Sequence, residues 1–383
     1  LTMTLSYIPS DTNDEGILKA TASGVLPSGQ PVVVNANGTV SVVGIGAASL
    51  GSIVQFDGDQ IRYISSAYDS SNNKVVVAYQ DYGNSGYGTA VVGTVSGASI
   101  SFGSPVVFYS GNSQHVSATF DSNLNKIVIA YKDVGGSVTF YGTAVVGTVS
   151  GTSISFGSPV VFRSANSLYM SLTFDTTSNK VVIAYSSTNG TLGSAIVGTV
   201  SGASISFGSE TVWESSAYQT DLSAVYDATS NRVVIAYRDE GDSGKGKAIV
   251  GTVSGTSISF GSKVVFEAGS TQNCKIAYDS TNSTVVIAYM DGGDSDKGKA
   301  VIGTVSGTSI SFNSPTVFYD TAGVSNLAAS YNSDAGAVVI SFRGASAYGT
   351  VLEGATTSSS ITFGLPLTIT TNAFSASYSD SVY

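Results

Sequence analysis

Among 383 residues the chain has one cysteine (Cys274), one histidine (His115) and one tryptophan (Trp213). A lone cysteine excludes an internal disulfide framework and a cysteine-built metal site. Cys274 occupies a position that is apolar in the other copies of a repeat described below, as a buried thiol would. One histidine in a variable position gives a nucleophilic triad little to work with. Only 11% of the residues are charged, and the Ala-Leu-Glu-Lys vocabulary of helices is nearly missing. Basic residues are also scarce, 16 against 26 acidic ones, for a net charge of −10. Such a surface repels phosphate backbones and anionic membranes, so neither a nucleic-acid partner nor a membrane surface is expected. No apolar run approaches the roughly 20 residues that span a bilayer, so membrane insertion is not expected. The first 16 residues show neither the basic start nor the apolar core of a signal peptide.

What is plentiful is Val, Ile, Thr and Tyr, which suit strands, and Gly (44 residues), Ser, Asn and Asp, which suit turns. The chain is all-β. A Ser-Ile-Ser-Phe phrase or a close variant recurs with its phenylalanine at Phe102, Phe156, Phe207, Phe260, Phe312 and Phe363, at spacings of 51 to 54 residues. A period of this length built from short strands signals a repeat architecture. One copy, residues 114–162, reads as four strands joined by tight turns, the fourth formed by Ser153–Phe156 together with Pro159–Phe162. Four-stranded antiparallel units repeated about an axis make a β-propeller.

Six copies are evident, from Tyr68/Tyr79 to Tyr331/Phe342, and the ends supply a seventh. Residues 38–56 align without gaps to Ala90–Phe108 as third and fourth strands, Pro31–Val34 matches a second strand, and Phe374–Tyr378 matches a first. The expectation is therefore a seven-bladed propeller over 31–383, closed by one C-terminal strand joining three N-terminal strands. Closure of this kind removes exposed sheet edges. Residues 1–30 match no repeat and read as a flexible or attachment segment that docks the chain to other subunits of a larger assembly.

Agreement between copies separates structure from function. The turns after the first strand (Asp69-Ser-Ser-Asn-Asn, Asp175-Thr-Thr-Ser-Asn) and after the third (Ser-Gly-Thr/Ala-Ser) hardly vary, which marks one face as structural and its aspartates as turn caps. The opposite face carries divergent loops and connections. Five residues before each repeat Tyr/Phe stand Tyr63, His115, Tyr169, Asp221, Asn273, Asn326 and Ala373, and one position earlier Arg62, Gln114, Leu168, Thr220, Gln272, Ser325 and Asn372. The next position is always apolar. If the first strand is innermost, these side chains ring the mouth of a central channel, and the candidate ligand-binding set is Arg62, Tyr63, Gln114, His115, Tyr169, Asp221, Gln272, Asn273 and Asn326. Aromatic faces beside amides and a carboxylate suit sugar rings and their hydroxyls.

Catalytic readings are weaker. A hydrolytic carboxylate pair would have to come from Asp57, Asp59, Glu214, Asp221 or Glu267 converging across the channel, and no spacing in the sequence requires that. The Asp-x-Gly-Asp-Ser loops at 239–243 and 291–295 lack the ligand density of dedicated calcium loops and read as turns. No catalytic residue, metal or cofactor is expected.

The run Ser-Gly-Thr-Ser-Ile-Ser-Phe-Gly-Ser-Pro-Val-Val-Phe at 150–162 resembles the Asp-box blade of sialidase-type propellers, though the Asp, Gly and Trp of that motif are missing and no arginine cluster accompanies it. The resemblance implies the blade plan and not the activity. The stretch 22–43 with the blades after it resembles virion structural proteins, of tail or fibre type, of tailed and in particular marine bacteriophages. That resemblance implies a non-enzymatic structural and adhesion module of a virion or extracellular assembly, meeting a surface glycan or protein through its variable face. A glycan-processing propeller enzyme and a secreted lectin-like protein are the alternatives.

Overall fold

The computed structural model describes residues 51–135, 140–187, 192–215, 219–345 and 347–369, together with the backbone of the strands within 2–6, 17–22, 32–34 and 39–42. The chain forms two compact units, Leu1–Ser49 and Leu50–Tyr383. In the first, β1 (Thr2–Ser6), β2 (Ile17–Ala22), β3 (Val32–Val34) and β4 (Thr39–Val42) make one sheet in the order β1-β2-β4-β3. β3 and β4 pair antiparallel, Val32 opposite Val42, as expected for consecutive strands. The free edge of β4 is taken in parallel by β2, Thr21 opposite Thr39. This pairing ties residues before 30 to those after it within the first unit.

The second unit is all-β. Its described residues contain six four-stranded antiparallel blades and a single 3-10 turn, Glu240–Asp242. Blade 1 comprises Ile61–Asp69, Lys74–Asp81, Tyr87–Ser96 and a split fourth strand, Ser99–Phe102 with the beginning of Val106–Asp121. Blades 2 to 6 repeat the plan, their second strands being Lys126–Asp133, Lys180–Ser187, Arg232–Asp239, Thr284–Asp291 and Ala337–Arg343. Two unbroken strands, Val106–Asp121 and Val264–Asp279, run from the edge of one blade to the inner position of the next. The expected first strand at 374–378 lies outside the described residues.

Each second strand is an almost uninterrupted apolar run, such as Lys126-Ile-Val-Ile-Ala-Tyr131, because both its faces are covered. The hydrophobic core is consequently a series of layers between neighbouring blades. Val76, Ala78, Ala90 and Val92 of blade 1 pack on Val116, Ile127, Ile129 and Tyr131 of blade 2. Val128, Ala130, Ala144 and Val146, on the other face of blade 2, pack on Ile183 and Tyr185 of blade 3. Small side chains on one face thus meet large ones on the next, nearest-neighbour packing typical of repeat folds.

The invariant turns follow from local chemistry. Asp69, Asp121, Asp175, Asp227 and Asp279 each accept two backbone N–H bonds through Oδ1. Asn73, Asn125, Asn179 and Asn231 then take the left-handed conformation that asparagine tolerates. Arg232 Nε, beside one such turn, donates to the Gly307 carbonyl in a third-to-fourth-strand turn, so both conserved turns share a face.

Candidate functional site

The site sits at the opposite end of the inner strands, where each blade carries the same distortion. In blade 1 the register passes from Arg62 opposite Gln80 to Ser65 opposite Ala78, so Tyr63 and Ile64 together face Tyr79. This is a β-bulge. It recurs in the other five blades, and the first bulged residue always has positive φ: Tyr63 49°, His115 51°, Tyr169 49°, Asp221 51°, Asn273 55° and Asn326 52°. Asparagine accepts that conformation at modest cost, whereas tyrosine does so rarely. None of the six is glycine, which would adopt it freely.

All six residues line one cavity of about 160 Å³, floored by apolar neighbours including Met170, Leu222, Cys274 and Leu327, with Lys275 at its wall. Its chemistry is two-sided. Tyr63, His115 and Tyr169 form an aromatic arc with ring centroids 4.9 and 5.2 Å apart. Asp221, Asn273 and Asn326 supply a carboxylate and two amides from the other three blades. The side chains also stitch blades together. His115 Nδ1 accepts the Tyr169 N–H at 3.3 Å, the Asp221 carboxylate accepts the Asn273 N–H, and Asn273 Oδ1 accepts the Asn326 N–H at 3.2 Å.

Burial pushes the His115 imidazole down to about 3, helped by the charge of Lys132. Burial raises the Asp221 carboxyl, opposed by the Asn273 N–H and by Lys275 and Arg238. Burial also drives the Cys274 thiol up to about 12, leaving it an unreactive core group.

The signs of these shifts give a pH prediction. Native His115 binds its proton less readily than the unfolded chain, so its stabilising neutrality is complete above about 6.5 and is lost as pH falls toward about 3. Asp221 acts in the opposite sense, its contribution declining as pH rises through its raised value. His115→Asn, which suits left-handed backbone and keeps an acceptor, is expected to flatten the acid limb of a Tm-versus-pH curve. A variant curve parallel to that of the parent protein would refute this origin of the acid limb.

Three sequence candidates fall outside the cavity lining. Arg62, Gln114 and Gln272 lie one position before the bulge, in regular register with Gln80, Lys132 and Met290. The bulge turns two consecutive side chains, Tyr63 and Ile64 in blade 1, toward the cavity and leaves the preceding one aside. The Arg62 guanidinium instead stacks on the Tyr82 ring at 4.0 Å, and Gln272 is exposed.

Two interactions are not apparent from the sequence. Ser65, Ser117, Ser171 and Ser223, directly after the bulged pair in blades 1 to 4, accept backbone N–H bonds from Ala118, Leu172, Ala224 and Ile276 of the following blade. Their recurrence three residues before the repeat Tyr/Phe was the available signal. The Asp-x-Gly-Asp-Ser loops, second, are neutralised from within. Lys247 Nζ lies 2.8 Å from both Asp239 and Asp242, and Lys299 Nζ lies 2.7 and 2.8 Å from Asp291 and Asp294.

Of the carboxylates considered for hydrolysis, Asp221 is the one among the described lining residues. Glu214 is held by Lys263, Glu267 accepts the Tyr289 hydroxyl, and Asp57 accepts that of Tyr79.

The chain matches no protein-family model and no curated protein. Solved structures do resemble it. The crystal structure of a protein from Lactobacillus plantarum superimposes with a TM-score of 0.56 over 94% of both chains, at 11% identity. The leech intramolecular trans-sialidase, in complex with 2,7-anhydro-Neu5Ac, gives 0.48 over 78% of this chain and 68% of its own, at 11% identity. The SapL1 lectin in complex with alpha methyl fucoside gives 0.49 over 80% and 96%, at 13% identity. The likeness to the Lactobacillus plantarum protein is one of fold.

Proposed function

We propose that this protein is a non-enzymatic binding module that takes a sugar ring, or a ligand of similar size and hydroxyl content, in the cavity at the bulged ends of its inner strands. The observation that carries this reading is the run of six non-glycine residues held in left-handed backbone at one equivalent position, all directed to the same cavity. Strain kept at every copy marks side chains required for something other than local folding. The aromatic arc offers a face for stacking, and the carboxylate and amides opposite offer acceptors and donors for hydroxyls.

In this reading the propeller has seven blades. Gly51 abuts the Ala98 carbonyl of blade 1 as Gly103 abuts that of Thr152 in blade 2, and Phe56 packs on Tyr79 and Phe102 as Phe108 does on Tyr131 and Phe156. These contacts support residues 51–56 as the outer edge of a preceding blade. The module serves a virion or an extracellular assembly, with the N-terminal unit as its attachment to other subunits.

Tyr169→Gly is the informative variant. It relieves left-handed strain of about 1–2 kcal/mol while deleting one aromatic surface. The expected result on a glycan array is loss of binding by a protein that still folds, as calorimetric melting beside the parent checks. Retained binding would remove the cavity from consideration, and polysaccharide hydrolysis abolished by Asp221→Asn would replace the module with an enzyme.

A further inference from the structure

In blades 1 to 4 the residue after the bulged pair is a serine whose Oγ accepts an N–H of the following blade. Blade 5 departs from this. After Asn273 and Cys274 it places Lys275, opposite Ala288 as Ser223 stands opposite Ala236. An ammonium has three donors and no acceptor. It cannot take the N–H of Ala329, which stands opposite Ile340 in blade 6 as Ile276 stands opposite Ile287 in blade 5. The exchange forgoes a contact that joins two blades and puts a cation on the wall of the central cavity.

That cation is not neutralised by the protein. Lys247, Lys263, Lys297 and Lys299 each have a carboxylate oxygen at 2.6–2.9 Å. Lys275 has no hydrogen-bond or ion-pair partner among the described residues. Its charge nonetheless acts on Asp221 and Cys274, two lining residues, lowering both acid groups against the burial that raises them. Arg238, the other cation acting on Asp221, is committed to Glu240 at 2.9 Å and to the Thr271 carbonyl. Beside Lys275, Asn273 uses its amide oxygen on the Asn326 N–H, which leaves its amide nitrogen to donate. Burial raises the Asp221 carboxyl and so favours its uncharged form, which lessens the repulsion of an incoming anion.

We propose that Lys275 is the specificity-determining residue of this cavity, where with Asn273 it selects a sugar bearing a carboxylate, of uronic-acid type, over its neutral counterpart. One ammonium matches the single charge of a carboxylate, whereas a phosphate ester carries nearly two. The carboxylate lies toward blade 5, the sugar face lies on the arc of Tyr63, His115 and Tyr169, and Asp221 and Asn326 meet hydroxyls. This inference rests on the sugar-binding reading of the cavity and adds the charge of the ligand to it.

The test is an array of matched oligosaccharide pairs that differ only in a C6 carboxylate or hydroxymethyl group, with sulfated members included. The parent protein should bind the acidic member of a pair at least about tenfold more tightly, as expected for a hydrogen bond to a charged group. Lys275→Ser should erase that preference, and Lys275→Arg should keep it. The serine variant reinstates the residue of blades 1 to 4, with an acceptor for the Ala329 N–H, so its melt should remain cooperative. Equal binding of both members by the parent, or a preference unaltered in Lys275→Ser, would overturn the assignment while leaving the cavity as a neutral-sugar site. Binding of sulfated members alone would overturn the carboxylate, and binding of no member would overturn the sugar reading with it.

Discussion

Tyr237→Ala is expected to lower the unfolding free energy of the propeller unit by about 3–5 kcal/mol, whereas Tyr237→Phe leaves it unchanged or raises it by up to about 1 kcal/mol. Tyr237 is fully buried between blades 3 and 4, where its ring lies against Trp213 with centroids 6.3 Å apart. Truncation to alanine removes apolar area and leaves a cavity in a layer whose backbone is pinned by neighbours on both sides, so collapse into the space is limited. The hydroxyl is different. It is buried and has no hydrogen-bond partner, and burial raises its pKa well above the usual tyrosine range, with Glu214 and Asp239 adding to the shift. An unpartnered buried hydroxyl costs free energy, so deleting it removes a penalty. The chain contains a natural version of the second substitution, since blade 6 has Phe342 at this position, equally buried. Calorimetric melting of the two variants beside the parent checks both statements, with a Tm fall on the order of 5–10 °C for alanine. A phenylalanine variant as damaged as the alanine one would mean that the hydroxyl is structurally needed.

The second large effect concerns the seam between blades. Gly103, Gly157, Gly208 and Gly261 follow the Ser-Ile-Ser-Phe phrase, and a Cβ on any of them would stand 1.8–1.9 Å from a backbone carbonyl oxygen in the third-to-fourth-strand turn of the next blade. The obstacle is main chain, which no rotamer change can move aside. The glycine is also fixed on its own side, the Gly208 N–H donating to the Val197 carbonyl at 2.9 Å. Gly208→Ala must therefore push blade 4 away from blade 3 or break that hydrogen bond, at a cost of at least about 1–3 kcal/mol by the usual penalty for overpacking. Gly202→Ala is the control. It has open space around its Cβ but φ of 60°, so it carries the left-handed cost alone, about 1 kcal/mol. Denaturant unfolding should rank the parent above Gly202→Ala, and Gly202→Ala above Gly208→Ala. Equal losses would show that the seam yields more easily than its geometry implies.

The candidate site was legible in part for a specific reason. Variable positions flanked by invariant ones announce themselves within a single chain when it contains several copies of the same unit, and Tyr63, His115, Tyr169, Asp221, Asn273 and Asn326 were recognised that way. Strand periodicity could not say which of two adjacent variable residues would enter the cavity. Simple alternation sends Tyr63 and Ile64 to opposite faces, and the bulge places both at the lining. Alternation alone does not separate Arg62, Gln114 and Gln272 from the residues that line the cavity.

Sequence alone determined the all-β class, the four-stranded unit, the capped turns and the slot that varies from blade to blade. These depend on short-range terms, namely side-chain alternation, turn stereochemistry and the local fit of Asp and Asn, and each is complete within a few residues. The tertiary structure decided what lies between units. It brings Asp57 and Asp59 to Asp81, sets Lys247 and Lys299 over their own loops, and lets Ser65, Ser117, Ser171 and Ser223 satisfy the next blade. It also joins β2 to β4 in the first unit. Such contacts depend on how far each blade is rotated and pressed against its neighbour, a result of packing summed over whole inter-blade layers that no single repeat contains.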